Sequence, residues 1–318
     1  MTHTHPTHHP VGRRTFLLAG AGAALALAGP ARPAAARSQA LARPSVVTAR
    51  GLSVGAFEVT PLLDSSGPFF LGRQLAFPGA TSDDWERARA IDPTAFGDGD
   101  TWHLDFRCYA VRGPGERITL VDTGVGPADS PAAAWAPVPG RLPEELLLAG
   151  IDPSDVDTVV LSHLHEDHFG WSVTSEGEPR FPNARYVVQA RETSSLAPGD
   201  AALDYVVSPL RAAGLLDEVS GDDVLVTAPS DGMVRVIPTP GHTPGHQSVV
   251  VEHSGAQLIV TGDVLVHAVQ LVDPDVAYRY EADPEQARRT RRALLDRARA
   301  ADAILATAHL RESFLRVR

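Results

Sequence analysis

Short runs of β-branched and other apolar residues, bounded by Gly, Pro or Asp, recur along the chain after residue 43 and predict β-strands. The predicted strands are 57–62, 108–111, 118–121, 158–161, 185–188, 234–237, 248–252, 258–261 and 304–307.

Two other segments predict helices. Residues 143–149 start with a proline and are followed by a glycine, which suits the first turn and the C-terminal end of a helix. Asp283 should cap a second helix that reaches about residue 301, with Ala293, Leu294 and Ala298 on its buried side.

The predicted strands outnumber the helices, and the helices come late in each half of the chain. This order favours a layered α/β sandwich over a doubly wound parallel sheet. There is no internal repeat and no long linker, so residues 43–318 are interpreted as one domain. Residues 64–102 show no regular pattern, and their aromatic residues favour a pocket wall or a dimer contact.

The N-terminal residues 1–42 predict a signal peptide. Arg13 and Arg14 are adjacent, and the apolar stretch 16–28 that follows is shorter than a bilayer span. The segment resembles a twin-arginine signal, which predicts export to the periplasm or the medium. After cleavage we expect no stable membrane insertion; an uncleaved membrane anchor is the alternative.

Composition excludes some classes of function. The 318 residues carry a net charge of −11, and residues 1–42 hold four arginines and no acid, so the rest of the chain carries −15. This negative balance argues against a nucleic-acid surface. The single cysteine, Cys108, excludes an internal disulfide and a cysteine-based metal cluster.

The most informative polar run follows the strand predicted at 158–161. His163 and His165 are two residues apart, which places both imidazoles on the same side of an extended backbone. Asp167 and His168 follow and can serve a second ion. Nitrogen and oxygen ligands without a thiolate suit zinc, with iron or manganese as substitutes. The run predicts a metallohydrolase site with room for two ions.

Four further polar residues each follow a predicted strand, and sites in layered α/β folds gather at strand ends. They are Asp122, His242, Asp263 and His309. Asp263 can bridge two cations, whereas Asp122 is interpreted as orienting a ligand. His246 is a rival of His242 and is ranked behind it.

Together these segments resemble the metallo-β-lactamase superfamily. The resemblance rests on the H-x-H-x-D-H run at 163–168, the GHTPGH loop at 241–246 and the TGD segment at 261–263. It spans most of the chain, from Asp122 to His309. It implies an α/β fold in which an αβ/βα four-layer sandwich holds the metals at one edge.

The resemblance also implies ligand roles for seven residues. They are His163, His165 and His242 for the first metal, Asp167, His168 and His309 for the second, and Asp263 as the bridge. The cofactors implied are two divalent ions, zinc or in its place manganese or iron, and the quaternary structure implied is a homodimer.

Asp263 also indicates which branch of the superfamily the chain resembles. β-Lactamases that use a cysteine ligand have it at this position, so antibiotic hydrolysis is disfavoured. An aspartate is similar to glyoxalase II, acyl-homoserine lactonases and methyl parathion hydrolase, and residues 262–271 look closest to the methyl parathion hydrolase-like and lactonase-like branch. Two departures stand out: Val266 replaces a tyrosine of some lactonases, and residues 311–314 replace a Pro-Phe-Pro-Gly stretch.

The function predicted is an exported hydrolase that uses a metal-bridging hydroxide to cleave an ester, a lactone or an aryl phosphotriester. Asp167 and Asp263 are the residues expected at its reaction centre. Two alternatives stay open: a mononuclear iron sulfur dioxygenase of the same fold and a non-catalytic metal-binding protein.

The small-molecule pocket is expected to be aromatic. Phe69 and Phe70, from the irregular segment, and Phe169 and Trp171, just after the histidine run, are its candidate walls. Core packing is the alternative role for these four side chains.

Overall fold

The computed structural model describes residues 51–317. The signal peptide predicted at residues 1–42 lies outside the described residues.

The first sheet has seven strands, arranged in the order in which they occur along the chain. They are β1 (Leu52–Val54), β2 (Phe57–Pro68), β3 (His103–Arg112), β4 (Ile118–Val121), β5 (Val156–Val160), β6 (Arg185–Gln189) and β7 (Leu216–Val219). Strands β1 to β4 pair antiparallel, and strands β4 to β7 pair parallel.

The second sheet has six strands, with β13 and β8 at its two edges. They are β8 (Asp223–Ala228), β9 (Gly232–Pro238), β10 (Gln247–His253), β11 (Ala256–Val260), β12 (Ile304–Ala306) and β13 (Phe314–Arg316). All neighbours pair antiparallel except β11 and β12, which are parallel.

The helices are mostly short. They are α1 (Arg73–Ala76), α2 (Ser82–Ile91), α3 (Leu142–Leu148), α4 (Glu166–Phe169), α5 (Ala190–Ser194), α6 (Ser208–Ala212), α7 (Val269–Val272) and α8 (Pro284–Ala300). A π-helical turn, Leu203–Val207, runs directly into α6. None of the helices within residues 51–317 has the length and apolar character needed to cross a membrane.

The two sheets pack face to face with helices outside them. In β10, Val249 and Val251 contact the first sheet, whereas Val250 faces α8. On the opposite side of the molecule, Leu142 and Leu146 of α3 pack on the outer face of the first sheet. The central strands are therefore buried on both faces, and the predicted αβ/βα four-layer sandwich is confirmed.

The strands that the sequence did not predict are β1, β7, β8 and β13, which are the edge strands of the two sheets. These edge strands are only partly buried. β7, β8 and β13 carry charged side chains and β1 has only three residues, so their apolar pattern is weak. Central strands, in contrast, read as continuous apolar runs because both of their faces are covered.

Two other predictions need correction. Residues 64–102 are not irregular, because β2 continues to Pro68 and α2 is capped by Thr81, whose side chain accepts a hydrogen bond from the backbone of Asp84. In α8, Asp283 caps the helix as predicted, but Ala293 is exposed and Leu295 takes its place on the buried side. The buried stripe therefore follows the helical period through Leu294 and Leu295.

Asp64 of β2 binds three segments that are distant in sequence, through Val125, Leu142 and Trp171. It lies at a bulge of β2, and its side chain is fully buried. The carboxylate accepts hydrogen bonds from the backbone N–H of Val125 at 2.6 Å, the backbone N–H of Leu142 at 2.7 Å and the indole N–H of Trp171 at 3.0 Å. Burial nevertheless raises the pKa of Asp64 to about 6, with these donors opposing the shift.

The Asp64→Asn variant is expected to be less stable than the wild type, because the amide N–H₂ faces backbone donors. The deficit should shrink by about 2 kcal/mol between pH 4 and pH 7. The folded carboxyl, with a pKa of about 6, binds more protons than the unfolded one, so the wild type loses stability as pH rises through this window.

Urea unfolding of both proteins at pH 4, 5, 6 and 7 measures this difference, and groups common to both cancel. A deficit that is constant or grows with pH would show that the native pKa of Asp64 is not raised.

Candidate metal centre

The seven candidate ligands meet at one edge of the sandwich because the strands that carry them end there. His163 follows β5, His242 follows β9, Asp263 follows β11 and His309 follows β12. The structure brings all seven together in overlapping groups whose ligand atoms lie within 4.8 Å of one another.

The first group consists of three imidazoles. Nδ1 of His165 lies 3.1 Å from Nε2 of His163 and 2.9 Å from Nε2 of His242. Three ring nitrogens that face one point at these separations form the nitrogen set that a zinc-type cation prefers.

The second group consists of Asp167, His168 and His309, and Asp263 lies between the two groups. Oδ1 of Asp263 is 3.2 Å from Nε2 of His168 and 3.0 Å from Nε2 of His309. Oδ2 of Asp263 is 3.3 Å from Nε2 of His242, in the first group. Each carboxylate oxygen therefore faces a different group, which is the geometry of a bridging ligand.

Unpaired polar atoms support a cation at this place. Nε2 of His168 and Oδ1 of Asp263 are buried and close to each other and to His309, but these contacts lack hydrogen-bond geometry, so neither atom has a hydrogen-bond partner among the described residues. Buried polar atoms nearly always have a partner. The nitrogen and carboxylate donors present fit two divalent ions.

The electrostatics of the site lead to the same conclusion. Burial lowers the pKa of His163 and of His242 well below the ordinary value. Burial also opposes protonation of His168 and His309, but the carboxylates of Asp167 and Asp263 outweigh it and raise both pKa values. The carboxylates of Asp167 and Asp263 therefore favour a nearby positive charge. Metal cations would provide that charge in place of protons on the imidazoles.

The two imidazoles of the second group are oriented by hydrogen bonds that their Nδ1 atoms donate. Nδ1 of His168 donates to Asp122 at 2.9 Å, and Nδ1 of His309 donates to the backbone oxygen of Asp105 at 2.8 Å. Asp122 also accepts hydrogen bonds from the backbone and hydroxyl of Ser162. These contacts leave Nε2 of both rings free to face the site, so Asp122 orients a candidate ligand rather than joining the set.

His246 faces a backbone group instead of the site. Its Nε2 accepts a hydrogen bond from the backbone N–H of Asp263 at 2.9 Å, and its Nδ1 lies 2.8 Å from the hydroxyl of Thr239. Burial lowers the pKa of His246 to about 3, which keeps the ring neutral and able to accept. His242 is therefore the candidate ligand of the first group. His246 instead accepts a hydrogen bond from the backbone of Asp263 and so positions that residue.

A cavity of about 300 Å³ opens onto both groups. Its wall is mainly aromatic and aliphatic, formed by Phe69, Phe70, Leu104, Trp135, Val266, Tyr278 and Tyr280. Glu166 also lines it.

Of the predicted wall residues, Phe69 and Phe70 line the cavity, and Phe169 and Trp171 do not. Phe169 is fully buried in the core beneath the first sheet. Trp171 is partly buried against that core and donates its indole N–H to Asp64. Both residues follow the histidine run closely in sequence. They nevertheless pack against the core of the first sheet and not in the cavity.

The family model of the metallo-β-lactamase superfamily matches residues 107–309, which contain all seven candidate ligands. The chain belongs to this superfamily.

Relatives by sequence include N-acyl homoserine lactonases. The lactonase AttM of Azorhizobium caulinodans is 33% identical over 171 residues, which cover 49% of this chain and 62% of the relative. The lactonase AttM of Agrobacterium fabrum is 37% identical over 112 residues, which cover 34% of this chain and 40% of the relative. The chain thus spans less than two thirds of the length of these relatives.

Solved structures share the fold at low sequence identity. The hydrolase AbOPH has a TM-score of 0.66 at 23% identity, with 84% of this chain and 96% of that chain covered. The dizinc quorum-quenching lactonase AidC has a TM-score of 0.66 at 19% identity, with 83% of this chain and 91% of that chain covered. These likenesses support the superfamily's sandwich architecture.

Glu192, which the sequence analysis missed, ties the two histidine loops together. Its side chain is buried in α5 and accepts hydrogen bonds from the backbone N–H of Leu164 at 3.0 Å and of Gly245 at 2.8 Å. Leu164 lies between His163 and His165. A side chain at Gly245 would meet the backbone of Glu192 at 2.2 Å, so the close approach needs glycine. No local pattern marks Glu192, because its partners are distant in sequence.

The Glu192→Gln variant is expected to bind metal about 10- to 100-fold more weakly, because its amide N–H₂ faces one of the two backbone donors and loosens both loops. Competition with a chelator of known affinity measures the change. Glu176→Gln, at an exposed loop position, is the matched control. Equal metal retention by all three proteins would contradict a positioning role for Glu192.

Proposed function

We propose that the protein is a metal-dependent hydrolase that holds two divalent cations, preferably zinc, in the two ligand groups. The observation that carries this proposal is the position of Asp263, whose two carboxylate oxygens face different groups. The superfamily membership and the lactonase relatives support the same reaction type.

The cations supply a polarising charge for a substrate oxygen and a nucleophile from water at neutral pH. The chain's own residues do the rest. His163, His165 and His242 would hold one cation, Asp167, His168 and His309 would hold the other, and Asp263 presents one carboxylate oxygen to each group. Because these side chains are largely buried, their charges act in a medium where electrostatic interactions are strong.

The cavity favours a neutral substrate that carries an apolar group. Its wall contains five aromatic side chains, and no lysine or arginine is among the described residues that form it. Glu166 would repel an anionic substituent near the ligands. We therefore propose a lactone or ester, with an N-acyl homoserine lactone as the first candidate because the relatives bear that name. An aryl phosphotriester, also neutral, is the second candidate.

The two alternatives fit the site less well. A mononuclear iron sulfur dioxygenase would need one group, yet Asp167, His168 and His309 form a second complete and buried group. A non-catalytic metal-binding protein would need no cavity, yet an aromatic cavity opens directly onto both groups.

Initial rates for an N-acyl homoserine lactone, an aryl ester and methyl parathion test the proposal on protein loaded with zinc or manganese. We expect hydrolysis of one of them with two ions per chain by elemental analysis. His163→Ala should lower the rate by more than ~100-fold, since even changes behind metal ligands cost 10- to 100-fold.

His253→Ala, at the end of β10 and outside the site, is the control for loss of an imidazole. A wild type that binds metal but hydrolyses none of the substrates would overturn the hydrolase proposal. One iron per chain with oxygen consumption on a sulfur substrate would favour the dioxygenase.

We also propose that residues 1–42 direct export through the twin-arginine route, so the mature protein acts outside the cytoplasm. Replacing Arg13 and Arg14 by lysine should leave the precursor in the cytoplasmic fraction, because that route requires the arginine pair. Arg32→Lys, in the same segment, is the control. Export of the double variant would contradict the proposal. The homodimer implied by the resemblance stays a prediction.

A further inference from the structure

The segment between α7 and α8 places the side chain of Tyr278 in the wall of the cavity, beside candidate metal ligands. The ring of Tyr278 is nearly parallel to the ring of His242, at 9° and a centroid separation of 6.0 Å. The side chain is 5% exposed and lines the same cavity as Asp263 and His309. The phenol is therefore close to the place where a substrate would react.

The hydroxyl of Tyr278 has no hydrogen-bond partner within residues 51–317, unlike those of the other buried tyrosines. Tyr109 donates to the backbone oxygens of Thr307 and Ser313 at 2.8 and 2.7 Å. Tyr186 donates to the backbone oxygen of Ser172 at 2.9 Å. The hydroxyl of Tyr278 thus remains available to a molecule in the cavity.

The backbone around Tyr278 is held by a buried arginine of α8. Arg291 is fully buried, pairs with Glu281 at 2.8 Å and donates to the backbone oxygen of Val276 at 3.1 Å. The backbone N–H of Glu281 in turn donates to the backbone oxygen of Tyr278 at 3.0 Å. The ring also packs against Phe77 at a centroid separation of 5.1 Å. A donor fixed in this way needs little rearrangement during reaction.

The other described residues that form the cavity offer few alternatives as donors. The imidazoles and carboxylates of the two groups would be engaged with cations, and Glu166, when ionised, is an acceptor only. Val266 contributes methyl groups at the position where the resemblance places a tyrosine. The two neutral O–H donors are Tyr278 and Tyr280, and Tyr280 is 41% exposed at the rim.

We propose that the hydroxyl of Tyr278 donates a hydrogen bond to the substrate oxygen that becomes negative when water adds to the acyl carbon. This inference rests on the proposed function. Water oxygen joins the acyl carbon and the bond from that carbon to the leaving oxygen breaks. One proton of the water goes to the leaving oxygen, and the other goes to solvent as the product acid ionises. Tyr278 keeps its own proton throughout, so it stabilises charge without acting as the acid.

Steady-state kinetics of metal-loaded Tyr278→Phe test the proposal, with Tyr205→Phe as the control for loss of a phenol hydroxyl outside the cavity. Phenylalanine keeps the ring and its packing, so metal content and Tm should not change. We expect kcat of Tyr278→Phe to fall about 10²-fold, as when one such donor is removed from a preorganised site, and KM to change little. Tyr205→Phe should retain the wild-type kcat, because its hydroxyl lies outside the cavity.

A binding measurement provides a readout that does not depend on turnover. Calorimetry with a phosphonate analogue of the best substrate, whose anionic oxygens resemble the charged state, should show weaker binding to Tyr278→Phe by about 10-fold or more. Tyr205→Phe should bind it like the wild type.

The outcomes separate the two levels of inference. An active wild type with equal kcat and analogue affinity in Tyr278→Phe overturns the role of Tyr278 and leaves the hydrolase proposal standing. A wild type inactive on every ester, lactone and phosphotriester overturns the proposed function, and the role of Tyr278 with it.

Discussion

The buried carboxylate of Asp263 is the interaction on which the rest of the site depends. An ionised carboxylate away from water is unfavourable unless positive charge compensates it. Here imidazole nitrogens approach both oxygens, from His242 on one side and from His168 and His309 on the other. Divalent cations would compensate this charge better than protons, because they would also bind the ring nitrogens around it. The arrangement of the seven candidate ligands follows from sharing this carboxylate.

The sandwich makes the convergence possible by its strand ends. Four central strands, β5, β9, β11 and β12, are buried on at least one face by apolar packing and end at the same edge. Packing between the sheets therefore sets the distances between loops that carry ligands. The ligand loops are then joined to one another by polar groups, with Glu192 between the two histidine loops and His246 beneath Asp263.

The rest of the cavity wall consists mainly of aromatic side chains. Segments from the first half of the chain and from between α7 and α8 contribute aromatic rings, including Phe69 and Tyr278, whose centroids lie 6.4 Å apart. Arg291 fixes the second segment from inside α8, so a buried ion pair positions an apolar wall. The cavity is thus bounded by the charged candidate ligands and by an aromatic wall.

The sequence by itself determined the central strands and the chemistry at their ends, because apolar runs and the spacing of His163 to His168 are local patterns. It also identified the superfamily. Tertiary structure decided what depends on distant partners. The edge strands were missed because their pattern is weak, and Glu192 because its two partners lie 28 and 53 residues away. For Phe169 the sequence left a pocket wall and core packing open, and the folded structure places it in the core. Only the folded chain shows that Tyr278, 15 residues beyond Asp263, returns to the site.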